Sequence, residues 1–125
     1  MSTDIFSQPI VSSSGGRGFT TQNDMTGIRV ANAVYTNGSK PLLVEAYVEF
    51  LTNNAGSVLL AQGQTGPTAG TLLGVQLCSP PLNVLPNPNT HQSMFFFVPS
   101  GWAYSIATIA VLPNVVTIQR WIEVT

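Results

Sequence analysis

A chain of 125 residues holds about one hydrophobic core, and 44% of this one is hydrophobic. Only 7% is charged, four basic residues against five acidic, where a soluble domain carries roughly 25%; a net charge of −1 leaves no electrostatic footprint for nucleic acid. No stretch approaches the ~20 consecutive apolar residues of a membrane span, and the single cysteine, Cys78, excludes an intrachain disulfide or a cysteine-based metal site.

So little charge implies a surface that is partly covered by other protein and partly wetted by Ser, Thr, Asn and Gln. Residues 1–26 read as an extended N-terminal arm, flexible through Ser12-Ser13-Ser14-Gly15-Gly16-Arg17-Gly18 and without a sustained period in Ile5, Phe6, Ile10, Val11 and Phe19. The arm lacks a basic start followed by an apolar run, so no secretory signal is expected. Laid across a neighbouring subunit or particle surface, it would bury those five apolar side chains.

From residue 27 to 125 the pattern turns to period two with turn signals between short runs, the mark of an all-β domain. Ile28, Val30 and Val34 suggest a first strand that ends at Asn37-Gly38-Ser39-Lys40-Pro41. Residues 42–51 alternate cleanly, with Leu42, Val44, Ala46, Val48 and Phe50 on one face and Glu45, Tyr47 and Glu49 on the other. A turn at 52–56 leads to a strand over 57–62, and a loop over 63–70 leads to a strand over 71–78. The connection from Ser79 to Gln92 contains four prolines and is expected to be an excursion rather than a ladder strand. Strands follow over 93–98, 103–110 and 115–124, separated by Pro99-Ser100-Gly101 and Leu112-Pro113-Asn114. Seven or eight strands without a helix predict an antiparallel β-sandwich or jelly roll.

The inventory for chemistry is thin. His91 is the only histidine and falls in the Pro/Asn connection, where Asn89 and Thr90 are within reach. A Ser-His-Asp arrangement needs three converging groups, and no nucleophile-elbow motif is present. Glu45 and Glu49 on one strand would lie about 13 Å apart, beyond the separation of a glycosidase pair, so they read as a solvated face. The glycine-rich run 63–70 lacks the Gly-Lys-Ser/Thr step of a phosphate loop. Asn37-Gly38-Ser39 is a formal glycosylation sequon better read as turn chemistry. No catalytic, metal or cofactor residues are expected, and the chain is read as a non-enzyme. Phe95, Phe96 and Phe97 are consecutive on a strand and cannot share one face, and Trp121 lies opposite Ile118, Arg120 and Ile122 in strict alternation. Phe95, Phe96, Phe97 and Trp121 are therefore the candidate oligomer contacts.

Three stretches carry a resemblance. Tyr35-Thr36-Asn37-Gly38-Ser39-Lys40-Pro41-Leu42-Leu43-Val44, then Phe96-Phe97-Val98-Pro99-Ser100-Gly101-Trp102-Ala103-Tyr104-Ser105-Ile106, and the closing Trp121-Ile122-Glu123 resemble the small β domains of tailed-phage fibre and tip proteins. That resemblance implies a β-sandwich that assembles as a homotrimer on a virion. No long shaft is expected upstream, and a free-standing β trimer with an arm is similar instead to capsid decoration proteins. The expectation is thus a structural virion protein, made in the host cytoplasm and sited on the particle surface, whose arm binds the major capsid protein or another virion protein. The alternative is a tail-fibre or tail-tip adhesin that touches host surface polysaccharide through loops 63–70 and 79–92, with Asn87, Asn89 and His91 as its receptor residues. An intracellular small-molecule binding barrel is a third reading, against which the low charge and the phenylalanines count.

Overall fold

The computed structural model describes residues 20–51, 59–79, 89–111 and 114–125. Among these residues eight strands form two sheets: β1 (Gln22–Asp24), β2 (Tyr35–Thr36), β3 (Leu42–Leu51), β4 (Leu59–Gly66), β5 (Leu73–Cys78), β6 (Asn89–Val98), β7 (Ala103–Ala110) and β8 (Val115–Val124). One sheet has the order β1-β8-β3-β6 and the other β2-β7-β4-β5, with all pairs antiparallel. The chain is an all-β sandwich, as its alternation predicts. Ile5, Phe6, Ile10, Val11 and Phe19 of the arm lie outside the described residues, as does Asn87.

The core is built from the period-two faces. Leu42, Val44, Ala46, Val48 and Phe50 of β3 point inward, and Met94, Phe96 and Val98 of β6 continue the same layer. Leu59 and Ala61 of β4 with Tyr104 and Ile106 of β7 face them from the second sheet. Gly63 leaves the room that the Phe96 ring fills: a Cβ at 63 would sit 2.5 Å from Phe96 Cδ1.

A β-bulge divides β8. Tyr47 lies opposite Arg120, but the next residue, Val48, lies opposite Ile118, so Gln119 has no opposite residue. The extra residue shifts the alternation by one. Val116 and Ile118 pack against the core ahead of it, and Trp121 and Glu123 point into the sandwich after it. Strict alternation predicted Trp121 opposite Ile118; the bulge puts both on the inner side.

Two other expectations are corrected. The segment holding Ile28, Val30 and Val34 is no strand, and all three side chains are exposed. Positive φ at Gly27 (82°) and Asn32 (67°) folds it into turns, and only Tyr35–Thr36 pairs with β7. Part of the segment read as arm, residues 22–24, also pairs with the last strand. Thr20 and Thr21 N–H groups donate to Thr125 O at 2.8 and 2.9 Å, and β1 pairs with β8, so the sheet has begun by residue 22.

Inside the sandwich, the Glu123 carboxylate accepts from four donors. Arg29 Nε and Nη2 approach its two oxygens at 3.0 and 3.3 Å, Tyr104 Oη at 2.8 Å and Trp121 Nε1 at 3.0 Å. The Arg29 guanidinium also lies 4.5 Å from the Tyr35 ring centroid. A buried carboxylate needs this many partners to offset its lost hydration. The cluster ties the turn segment to the last strand across 94 positions. Asn37 does the corresponding work at the turn before β3, its Nδ2 donating to Lys40 O at 2.7 Å and to Val98 O at 3.1 Å. The side chain of the sequon is thus used in turn chemistry.

Candidate functional site

The outer face of the β1-β8-β3-β6 sheet carries the side chains that the core does not take. Pairing arranges them in rows across the strands: Phe97, Leu43 and Val124; Phe95, Glu45 and Ile122; Ser93, Tyr47 and Arg120; His91, Glu49 and Thr117. In the middle of this face is a cleft of about 540 Å³, lined by Glu45, Tyr47, Ser93, Phe95, Gln119 and Arg120, with Ala46, Met94 and Ile122 completing it. The bulge at Gln119 is what sets Gln119 and Arg120 side by side at its wall. In a regular strand consecutive side chains would point to opposite faces.

One wall of the cleft is held rigid. The Tyr47 and His91 rings stack with centroids 5.2 Å apart and planes 9° from parallel. His91 Nε2 in turn lies 3.5 Å from Glu49 Oε2, an ion pair whenever the imidazole is protonated. Phe95 stands opposite as the apolar wall, 55% exposed. Among the described residues neither Glu45 nor Arg120 forms a hydrogen bond or an ion pair. The Asp24 carboxyl is held below its ordinary value first by hydrogen bonds from Thr26 and then by the Arg120 guanidinium.

The structure sorts the sequence-predicted residues. Phe96 and Trp121 lie inside the sandwich and present no side chain to a neighbouring subunit. Phe95 and Phe97 do present theirs, the latter 60% exposed. His91 is not in a loop: β6 begins at Asn89, two residues before it, and the imidazole meets Glu49 and Tyr47. The glycine-rich run is corrected as well, because Gly63–Gly66 belongs to β4 and the turn is the 3-10 helix Ala69–Thr71. Most of the 79–92 connection falls outside the described residues. Glu123, buried on the inner face, does not join Glu45 and Glu49.

Among the described residues the Ser93 hydroxyl and the His91 ring are not hydrogen-bonded to each other, and no group of three or more His, Cys, Asp or Glu side chains is placed to hold a metal ion. The face sets an aromatic platform beside one carboxylate and one guanidinium. Gln119 and Arg120 were not singled out from sequence; the signal available was the polar pair interrupting the apolar spacing of Val116, Ile118 and Trp121. Compared with protein-family models, curated proteins and solved structures, the chain matches none.

Proposed function

We propose that this chain is a non-enzymatic structural protein of a tailed-phage virion, a capsid decoration protein that coats the particle as a homo-oligomer. The observation that carries the proposal is exposed apolar surface on a chain with nine charged side chains. Leu73, Val75 and Leu77 of edge strand β5 are 70, 51 and 56% exposed, and Phe97 of edge strand β6 is 60% exposed. The two edges flank the same side of the sandwich, where Cys78 Sγ lies 3.7 Å from Ser93 O. Left in water, Phe97 forgoes about 1–1.5 kcal/mol of burial, and edge strands without Lys, Pro or charge invite pairing. A contact on this side relieves both.

Two further observations support the reading. Strand orders 1-8-3-6 and 2-7-4-5 are those of a double Greek key, in keeping with a jelly roll, an architecture frequent in viral capsid proteins. The three stretches that carry the phage resemblance are also neighbours in space. Tyr35 pairs with Tyr104, its ring meets the Trp121 ring edge-on with centroids 6.0 Å apart, and Asn37 bonds Val98.

The test is the native mass of the purified chain over a range of concentration, together with gold-labelled antibody microscopy of particles. An oligomer and label spread over the head are expected. Deleting residues 1–19, and not 1–26, removes the arm while sparing β1; the shortened chain should stay folded and lose shell binding through the lost arm contacts. A monomer at every concentration refutes the oligomer, and label confined to the tail end replaces decoration with host attachment.

A further inference from the structure

We propose that the cleft on the outer face of the β1-β8-β3-β6 sheet is a binding site for a neutral carbohydrate, a hexose unit presenting adjacent hydroxyls. This goes beyond the decoration role and does not depend on it. The volume of about 540 Å³ is that of a small-ligand site. Its walls differ in kind, as a sugar's surfaces do. A pyranose has apolar C–H faces and a rim of hydroxyls that both donate and accept.

The platform for the C–H face is Tyr47. A phenol ring presents its negative π face to C–H groups, and ordering it in advance lowers the entropy lost on binding. Here the ordering comes from outside the cleft, through the stack on His91 and the contact of His91 with Glu49. Phe95 supplies the second apolar wall, and without a ligand it is left half exposed.

For the hydroxyl rim there are two ionic groups without hydrogen-bond or ion-pair partners among the described residues. Glu45 can only accept and Arg120 can only donate, so together they suit a pair of adjacent hydroxyls, each of which does both. Glu45 stands opposite Ile122 and Arg120 opposite Tyr47, one row along, and the two are not ion-paired with each other. Gln119 and Ser93 add neutral donors and acceptors at the margins. The bulge supports the same conclusion, since a regular β8 would not place Gln119 and Arg120 together on this face, and bulges are over-represented beside functional sites.

Charge selects among sugars. Glu45 and Arg120 both line the cleft. A sugar carboxylate would meet one guanidinium and one carboxylate and so gains no net attraction over a neutral hexose.

The experiment is an amide-resolved NMR titration of the full chain with glucose, galactose, mannose, N-acetylglucosamine and glucuronic acid. At least one neutral sugar should shift the amides of Tyr47, Phe95, Gln119 and Arg120 with millimolar affinity. Arg120→Ala and Tyr47→Ala should each weaken that binding about tenfold or more while keeping a native spectrum. Ile109→Ala, at an exposed position of β7 in the other sheet, should leave it unchanged. The proposal is overturned if no neutral sugar moves the cleft amides, as for a face that binds only protein, or if the shifts persist in Arg120→Ala. Tighter binding of glucuronic acid than of glucose overturns the assignment to neutral sugars.

Discussion

Substituting Gly63 by alanine adds one methyl group where the structure has no space for it. The new Cβ would lie 2.5 and 2.6 Å from Phe96 Cδ1 and Cε1, about 0.9 Å short of ordinary contact at 3.4 Å. Phe96 is buried in the central cluster, so its ring has no empty volume to enter. Overpacking of this kind costs about 1–3 kcal/mol. Alanine recovers about 0.5–1 kcal/mol, because glycine loses more backbone freedom on entering a strand. The net expectation is a loss of about 1–2 kcal/mol, read as a lower urea midpoint at unchanged slope. The cause can be isolated in a Phe96→Leu background. Phe96→Leu alone should cost about 1 kcal/mol through the missing ring volume, and adding Gly63→Ala to it should cost little or restore stability. The reasoning fails if Gly63→Ala raises the midpoint, or if its cost is the same with Leu at 96, since the clash with the ring would then not be what is measured.

Other consequences are as direct. Glu123→Gln leaves Arg29 without its counter-charge and weakens the acceptor shared by Tyr104 and Trp121; with Arg29 about a quarter exposed, thermal unfolding should show a loss of about 2–3 kcal/mol. Gly66→Ala and Gly74→Ala should diverge: the first drives a Cβ onto the backbone oxygen of Thr71, the second only onto the side-chain amide of Gln62, which can turn aside at the cost of its bond to Gln64, so the first should depress the melting temperature more. Burial, then the hydrogen bond to Glu123, pushes the Tyr104 phenol above its ordinary value of 10.0, and burial raises the Cys78 thiol above 9.0. The unfolded chain then releases these protons first, so stability is intact below about pH 9 and should fall as pH climbs through the ordinary thiol and phenol range. Tyr104→Phe should flatten the upper part of that decline in a pH series of urea midpoints, and an unchanged slope would refute the assignment.

Strands were legible wherever one face is wholly apolar. Strand β3 shows all five inward side chains in its alternation, because a one-residue slip would carry Glu45, Tyr47 and Glu49 into the core. Alternation misled at Ile28, Val30 and Val34, where the backbone signs of Gly27 and Asn32 and the reach of Arg29 toward Glu123 decide the path. Spacing along the chain holds no trace of a contact between residues 94 positions apart. The cleft was half legible for a related reason. Glu45 and Tyr47 were visible as an outward face, but their partners Gln119 and Arg120 arrive by cross-strand register and a bulge. His91 was assigned to a loop by its prolines, whereas the strand begins one residue after Pro88.

The hydrogen bonds that bind Thr20 and Thr21 to Thr125 have a mechanical consequence. Chain enters and leaves the domain side by side at one pole, along the antiparallel pair of β1 and β8. Load applied between these two ends runs across the ladder, so the bonds are taken one after another and do not share it. Three residues of β1 are the first to peel, followed by the contact of Met25 N–H with Trp121 O. A tether at this pole gives way like a zip fastener, whereas a load shared between the two edge strands at the side would set the ten paired residues of β6 to resist it together.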